Sequence, residues 1–324
     1  MGADTFEKKN LVFVFTMEGD KISFKNDNIL VRDADGDTKL QTTCYRVFAL
    51  FIVGHLTITT PLIEKSKKFG FPIFLMTPSF RTYDVIGHKV EGNYLLRRIQ
   101  YANSDLTIAK HLVRNKIENQ IMTMDKCLGK DDRLRHDMEL LRGYANSVTN
   151  YVGDDVQALM GIEGVASKAY FRNIFDMEDW TGRKPRMKMD YINSTLDIGY
   201  TILFNIVDAM LNLYGFDNFV GVYHREFYMR RSLVCDMVEP FRPLIDWKVR
   251  TAVHLGQCKK EDFILVDGRY NLNIVKNKDY LAFLAKPLLE NKMEMFGYFQ
   301  SYYRSFMKHK DISEYPKFII GSGK

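Results

Sequence analysis

The sequence predicts an α+β protein: a small amino-terminal β-rich domain over residues 1–92, then a larger all-helical domain over residues 93–324. Two observations predict it. Short runs rich in β-branched and aromatic residues, separated by turn clusters, fill the first ninety or so positions. After about Gly92 the apolar residues recur at intervals of three and four, while Pro and Gly become sparse. A chain of 324 residues with a hydrophobic fraction of 46% is comfortable for two domains and can bury real cores.

Taken in order, Leu11–Phe15 is a first strand, Glu18-Gly19-Asp20 a turn, and Lys21–Phe24 and Asn28–Val31 the next strands. Asp33 to Asp37 forms a second turn cluster, and Tyr45 to Val53 reads as a buried strand. Thr60-Pro61 opens a short helix that runs to about Phe69 and stops at Gly70. Phe71–Met76 is one more strand, and Phe80 to Asn93, with Gly87 and Gly92, is the best linker candidate. In the helical half the clearest element is Leu196 to Tyr214. Leu196, Tyr200, Leu203, Val207, Met210 and Tyr214 fall on one stripe, Asn193-Ser194 can cap the start, and Gly215 stands where a helix stops.

Composition bounds the function loosely. The net charge of +6 is compatible with a nucleic-acid partner but by itself says little. Cys44, Cys127, Cys235 and Cys258 form no CxxC pair and no disulfide framework, which argues against a thiolate zinc site and fits a reducing cytoplasm. The charged start is no signal peptide, and Val47–Val53 is too short to span a bilayer, so a soluble protein with no membrane partner is expected. There is no P-loop, no GxGxxG and no serine nucleophile elbow, so nucleotide hydrolysis and serine hydrolysis have no support.

Three segments could carry chemistry. Glu163 lies in Gly161–Phe171, whose apolar neighbours suggest a largely buried helix, where a carboxylate needs a partner. A surface glutamate on an ordinary helix is the plainer reading of that segment alone. His224 ends the loop that leaves the long helix, and a lone histidine is more often structural than a ligand. Asp236 and Glu239 are three apart, so on a helix they diverge by roughly 60° and share a face. They repel unless a cation or protons sit between them, although a solvated acidic stripe also fits. Carboxylates with one imidazole suit magnesium or manganese, the nitrogen tilting the choice toward manganese. The basic loop Thr181–Asp190 carries four cations in six residues, and Arg225, Arg230, Arg231 and Lys248 add positive charge, as a phosphate backbone would require.

Together these segments resemble the CRISPR-associated integrase family, the Cas-one proteins. The resemblance rests on Glu163-Gly164, Arg183 to Asp190 with Asn193, Gly199-Tyr200, Gly221-Val-Tyr-His224 and Asp236-Met-Val-Glu239-Pro-Phe-Arg242-Pro243. In the amino-terminal half, Asn28–Val31, Ile52–His55, Ile58–Thr60 and Gly70–Ile73 are similar too. The chain departs from the family where a Pro-Pro pair often ends the basic loop and Met187-Lys188-Met189 stands instead.

The resemblance implies metal ligation by Glu163, His224 and Glu239 with Asp236 close by. It also implies a homodimer, formed through the β-rich half, that joins a smaller Cas-two dimer to hold a short DNA duplex. The expected activity is metal-dependent cutting and joining of DNA, inserting spacer-precursor duplexes at a CRISPR repeat with Mg2+ or Mn2+. Arg183, Lys184, Arg186, Arg225, Arg231 and Lys248 are expected on the DNA. Two alternative readings are a transposon-type integrase, which usually carries additional DNA-binding domains, and a non-catalytic DNA-binding scaffold, which has no use for a metal triad.

Overall fold

A computed structural model describes residues 1–87, 92–127, 132–177, 179–224 and 228–321. It forms two compact units, Met1–Tyr94 with Asn205–Phe216, and Leu95–Phe204 with Asp217–Lys324.

The first unit holds α1 (Ala3–Glu7), β1 (Asn10–Phe15), β2 (Lys21–Lys25), β3 (Asn28–Arg32), β4 (Thr38–Thr43), β5 (Val47–Val53), α2 (Thr60–Phe69), β6 (Pro72–Met76) and β7 (Thr82–Gly87). One sheet has the order β1-β5-β6-β7 and the other β2-β3-β4. In the first, β1 and β6 flank β5 in parallel, and β7 runs antiparallel to β6. Every residue of β5 is buried, which explains why its sequence, VFALFIV, is apolar throughout rather than alternating. Phe13, Phe51 and Phe74 stack across the three neighbouring strands, with ring centroids 4.3 and 4.8 Å apart.

The second sheet is a meander. Asn26 and Asp27 turn β2 into β3 with φ of 48° and 56°, the left-handed pair that a two-residue hairpin needs. Asp33 Oδ1 accepts from the backbone N–H groups of Asp35 and Asp37 and so shapes the next turn. Helix α2 has the limits that Thr60-Pro61 and Gly70 predict, and Gly70 adopts φ 71°. The linker expectation for residues 80–93 gives way to a strand: Thr82–Gly87 pairs with β6 as β7. Residues 88–91 lie outside the described residues.

The second unit holds α3 (Tyr94–Ala102), α4 (Thr107–Cys127), α5 (Asp132–Asn150), α6 (Val156–Ile174), most of α7 (Tyr191–Asn212), α8 (Ser232–Met237), α9 (Arg242–His254), α10 (Asn277–Glu290) and α11 (Lys292–Met307). The expected order, strand-rich then helical, is therefore the observed one. The helical part also contains a hairpin, β8 (Phe263–Val266) with β9 (Arg269–Leu272), turned by Asp267-Gly268 at φ 50° and 71°. Asp-Gly between two apolar runs is a hairpin signal that the helical expectation overlooked.

Helices α4, α5 and α6 pack against one another. Asp155 caps α6 by accepting from Gln157 N at 2.8 Å. The long helix α7 begins earlier than the apolar stripe suggests: Asp190, not Asn193-Ser194, caps it, accepting from Asn193 N at 2.6 Å. Among the described residues no helix is long and apolar enough to cross a membrane.

Candidate functional site

Glu163, on α6, accepts at Oε1 from Ser167 Oγ one turn on, at 2.7 Å, and from Lys116 Nζ of α4. Lys116 also lies 2.7 Å from Glu239 Oε2, so one ammonium stands between the two glutamates. Glu239 opens a short 3-10 turn, Glu239–Phe241, directly after α8. The spacing expectation of a shared helical face fails here, because the α-helix ends at Met237 and Pro240 tightens the chain. Asp236 and Glu239 then find separate partners.

Glu239 is buried, and burial alone would raise its pKa. Arg242, Lys116 and His224 outweigh that cost and hold the carboxyl at about 2. Arg242 Nε donates to Oε1 at 2.9 Å, and its guanidinium sits 4.6 Å from the Tyr200 ring centre. Oε2 faces the Lys116 ammonium at 2.7 Å and accepts from no other group among the described residues.

Asp236 is fully buried. Its Oδ2 accepts from Val222 N (2.7 Å) and Tyr223 N (3.0 Å), and its Oδ1 from His224 N (3.0 Å) and His224 Nδ1 (2.7 Å). A carboxylate can only accept there, so Nδ1 carries a proton and Nε2 is the nitrogen left unengaged by Asp236. Asp236 was expected among the catalytic residues. Its oxygens are consumed by the 222–224 backbone and the imidazole, which makes it a positioning residue for His224. Gly221 allows this close wrap, since a Cβ there would fall 2.6 Å from Asp236 Oδ2. Next to His224, Tyr223 is buried, and its hydroxyl has no hydrogen-bond partner among the described residues. Burial, followed by the charges of Glu163, Glu239 and Asp236, pushes its pKa far up, so it remains a donor.

The basic residues separate. Arg183, expected on DNA, has a side chain only 11% exposed. It bonds Asn193 Oδ1 (2.8 Å) and Asp197 Oδ1 (2.6 Å) and lies 5.2 Å from the Tyr200 ring centre, so these donors are engaged within the fold. Arg186 is exposed, with φ 64°. Lys184 and Arg231 are half-buried, and Lys248, also half-buried, lies near the Phe283 ring with its pKa lowered by burial. Arg225 lies outside the described residues.

Sequence reasoning missed Lys116 and Tyr223. Lys116 sits in an α4 stretch whose polar residues Asn115, Lys116, Asn119, Gln120 and Thr123 recur like a solvent face, yet all are buried. That stripe on an otherwise well-covered helix was the available signal.

The expected metal triad is not closed. Among the described residues no three His, Cys, Asp or Glu side chains converge to enclose a metal ion, because Lys116 stands between the two glutamates. The donor chemistry still fits a hard divalent cation: two carboxylates sharing one ammonium as counterion, and an imidazole already oriented through its Nδ1.

Comparison with known proteins gives consistent likenesses. The chain is 26% identical to the CRISPR-associated endonuclease Cas1 1 of Chlorobaculum tepidum, an alignment covering 96% of this chain and 99% of the relative. In fold it resembles a chain of a Cas6-RT-Cas1–Cas2 complex, with TM-score 0.81 and 22% identity; the match covers 97% of this chain and 36% of that one. It also resembles a casposase bound to integration product, with TM-score 0.77 and 16% identity, covering 96% and 95% of the two chains. The family model for CRISPR associated protein Cas1 matches residues 13–286, and the chain belongs to that family.

Proposed function

We propose that this protein is a divalent-metal-dependent DNA endonuclease and integrase that inserts short duplexes, as spacers, into a CRISPR array in adaptive antiviral defence. The observation that carries this reading is the pairing of Glu163 with Glu239 beside a histidine oriented through Nδ1. Glu163, Glu239 and His224 through Nε2 would hold Mg2+ or Mn2+. What such an ion supplies is polarisation of a phosphodiester and neutralisation of charge on the leaving oxygen. In the reaction each 3′-hydroxyl of the short duplex attacks a phosphorus of the repeat, and the bond to the displaced 3′-oxygen breaks.

The chain's own residues prepare that step. Asp236 fixes the tautomer and orientation of His224, Arg242 holds Glu239, and the unpartnered Tyr223 hydroxyl is a donor for an incoming oxygen. Arg186, Lys184, Arg225, Arg231 and Lys248 would meet the phosphate backbone. We place the protein in the cytoplasm as a homodimer built on the β-rich half and joined to a small Cas-two dimer. The name of the endonuclease relative and the titles of the casposase and complex structures support this reading.

Strand transfer of a labelled duplex into a repeat-bearing plasmid tests it. Mg2+ should sustain joining, Mn2+ should do so at least as well, and chelator should stop it; undiminished joining in excess chelator removes the metal from the reading. His224→Ala and Glu239→Ala should each abolish joining with the fold and DNA binding kept, and a variant that joins at the wild-type rate frees that residue from its role.

A further inference from the structure

Helix α4 is held beside the site by its own polar side chains. Asn115 Nδ2 donates to Phe318 O at 2.8 Å, and its Oδ1 accepts from Phe318 N at 2.9 Å. Asn119 Nδ2 donates to both Pro240 O (2.9 Å) and Phe318 O (2.8 Å), while its Oδ1 accepts from Ile320 N (3.1 Å). The helix is thereby tied to the segment around Phe318 and to the turn that carries Glu239. Lys116 lies on the same helix between these two anchors, so its backbone has a fixed position while its four-carbon stem remains the adjustable part.

The Lys116 side chain is 10% exposed, and its ammonium contacts Glu163 and Glu239. A buried ammonium is tolerated only when paired, and two adjacent carboxylates likewise need a cation. Lys116 and Arg242 against Glu163 and Glu239 make this group formally neutral. Asp236, bonded to His224, adds one negative charge beside it, so a divalent ion added with nothing removed would leave a net positive charge in a buried space. Arg242 is poorly placed to give way, being held both at Glu239 Oε1 and over the Tyr200 ring. Lys116 is the cation free to withdraw, since its ammonium is held by the same two carboxylates that the ion would take.

We propose that Lys116 is a built-in counterion that takes the divalent ion's place between Glu163 and Glu239 in the metal-free protein and must be displaced when the ion binds, so that it sets the metal affinity of the site. This rests on the metal-dependent reading above, and it concerns binding rather than turnover. It predicts that the site is stable without metal because of Lys116, and binds metal more weakly because of it.

The test is Mn2+ titration followed by electron paramagnetic resonance of the free ion, with thermal unfolding followed by circular dichroism, on the full-length wild type, Lys116→Met and Lys116→Arg. Lys116→Met should bind Mn2+ about tenfold more tightly or better, since the competing charge is gone. In chelator its unfolding midpoint should fall by about 5 °C or more, because two buried carboxylates lose their shared cation. Saturating Mn2+ should raise that midpoint by more than it raises the wild type's. Lys116→Arg, which keeps the charge, should bind Mn2+ no more tightly than wild type. If Lys116→Met is unfolded in chelator, Mn2+ should restore its helical signal, and failure to do so overturns the proposal. Wild-type binding with equal or weaker binding by Lys116→Met overturns it while leaving the metal reading intact. No Mn2+ binding by either the wild type or Lys116→Met brings down both.

Discussion

Replacing Asp236 with Asn keeps shape and volume but removes half of an acceptor-only group. Four donors converge on Asp236: the backbone N–H groups of Val222, Tyr223 and His224, and the His224 ring. An Asn offers one oxygen and one amide nitrogen, and the nitrogen must face two of those donors in either orientation. If it faces Val222 and Tyr223, two buried N–H groups lose charge-assisted bonds of about 1.5–3 kcal/mol each, a cost on the order of 4 kcal/mol. At about 2–4 °C per kcal/mol, the unfolding midpoint then drops by roughly 10 °C. If it faces His224, Nδ1 must become an acceptor. The proton moves to Nε2, where the lone pair is required, and strand transfer falls by about 100-fold. Circular dichroism melting and a strand-transfer time course on one preparation separate the two outcomes. A variant with wild-type midpoint and wild-type rate would refute the claim that Asp236 positions His224.

The two arginines of the basic loop should part company. Arg183→Ala should lower the unfolding midpoint and leave the salt dependence of DNA binding unchanged, because its guanidinium serves Asn193 and Asp197. Arg186→Ala should leave the midpoint alone and flatten the slope of log affinity against log salt by about 0.9; a flattened slope for Arg183→Ala at unchanged stability contradicts this assignment. Asp246 gives a pH signature. Burial raises its pKa to about 6, even though the Tyr200 hydroxyl donates to it and lowers it. A carboxyl raised in the folded state binds its proton more tightly there, so its contribution favours folding below the unfolded pKa and is lost as pH rises toward 6. Wild type should therefore lose stability relative to Asp246→Asn between about pH 4 and pH 6, by on the order of 2 kcal/mol. Parallel midpoints for the two proteins across that range would show that Asp246 does not carry the shift.

Much of the fold was legible because it depends on local pattern. The all-apolar run of β5, the Pro-to-Gly limits of α2 and the stripe of α7 each report their element without reference to distant residues. Where the pattern was short or polar, it misled. Thr82–Gly87 looked like a linker because what makes it a strand is its partner β6. Asp236 and Glu239 looked like a facing pair because a three-residue spacing assumes a continuous helix, which ends at Met237.

By itself the sequence determined the order of strand-rich and helical parts, the family, and the identities of Glu163, His224 and Glu239 as the residues to watch. Only the tertiary structure decided what surrounds them. Lys116 and Glu163 are 47 positions apart, and no local spacing announces that their helices bring them together. Arg183 reads as a free cation until the fold surrounds it with Asn193, Asp197 and Tyr200. The physical reason is the same in both cases: a charge buried by folding must find its counterion wherever the packed helices place one, and that choice is made by three-dimensional proximity rather than by neighbours along the chain.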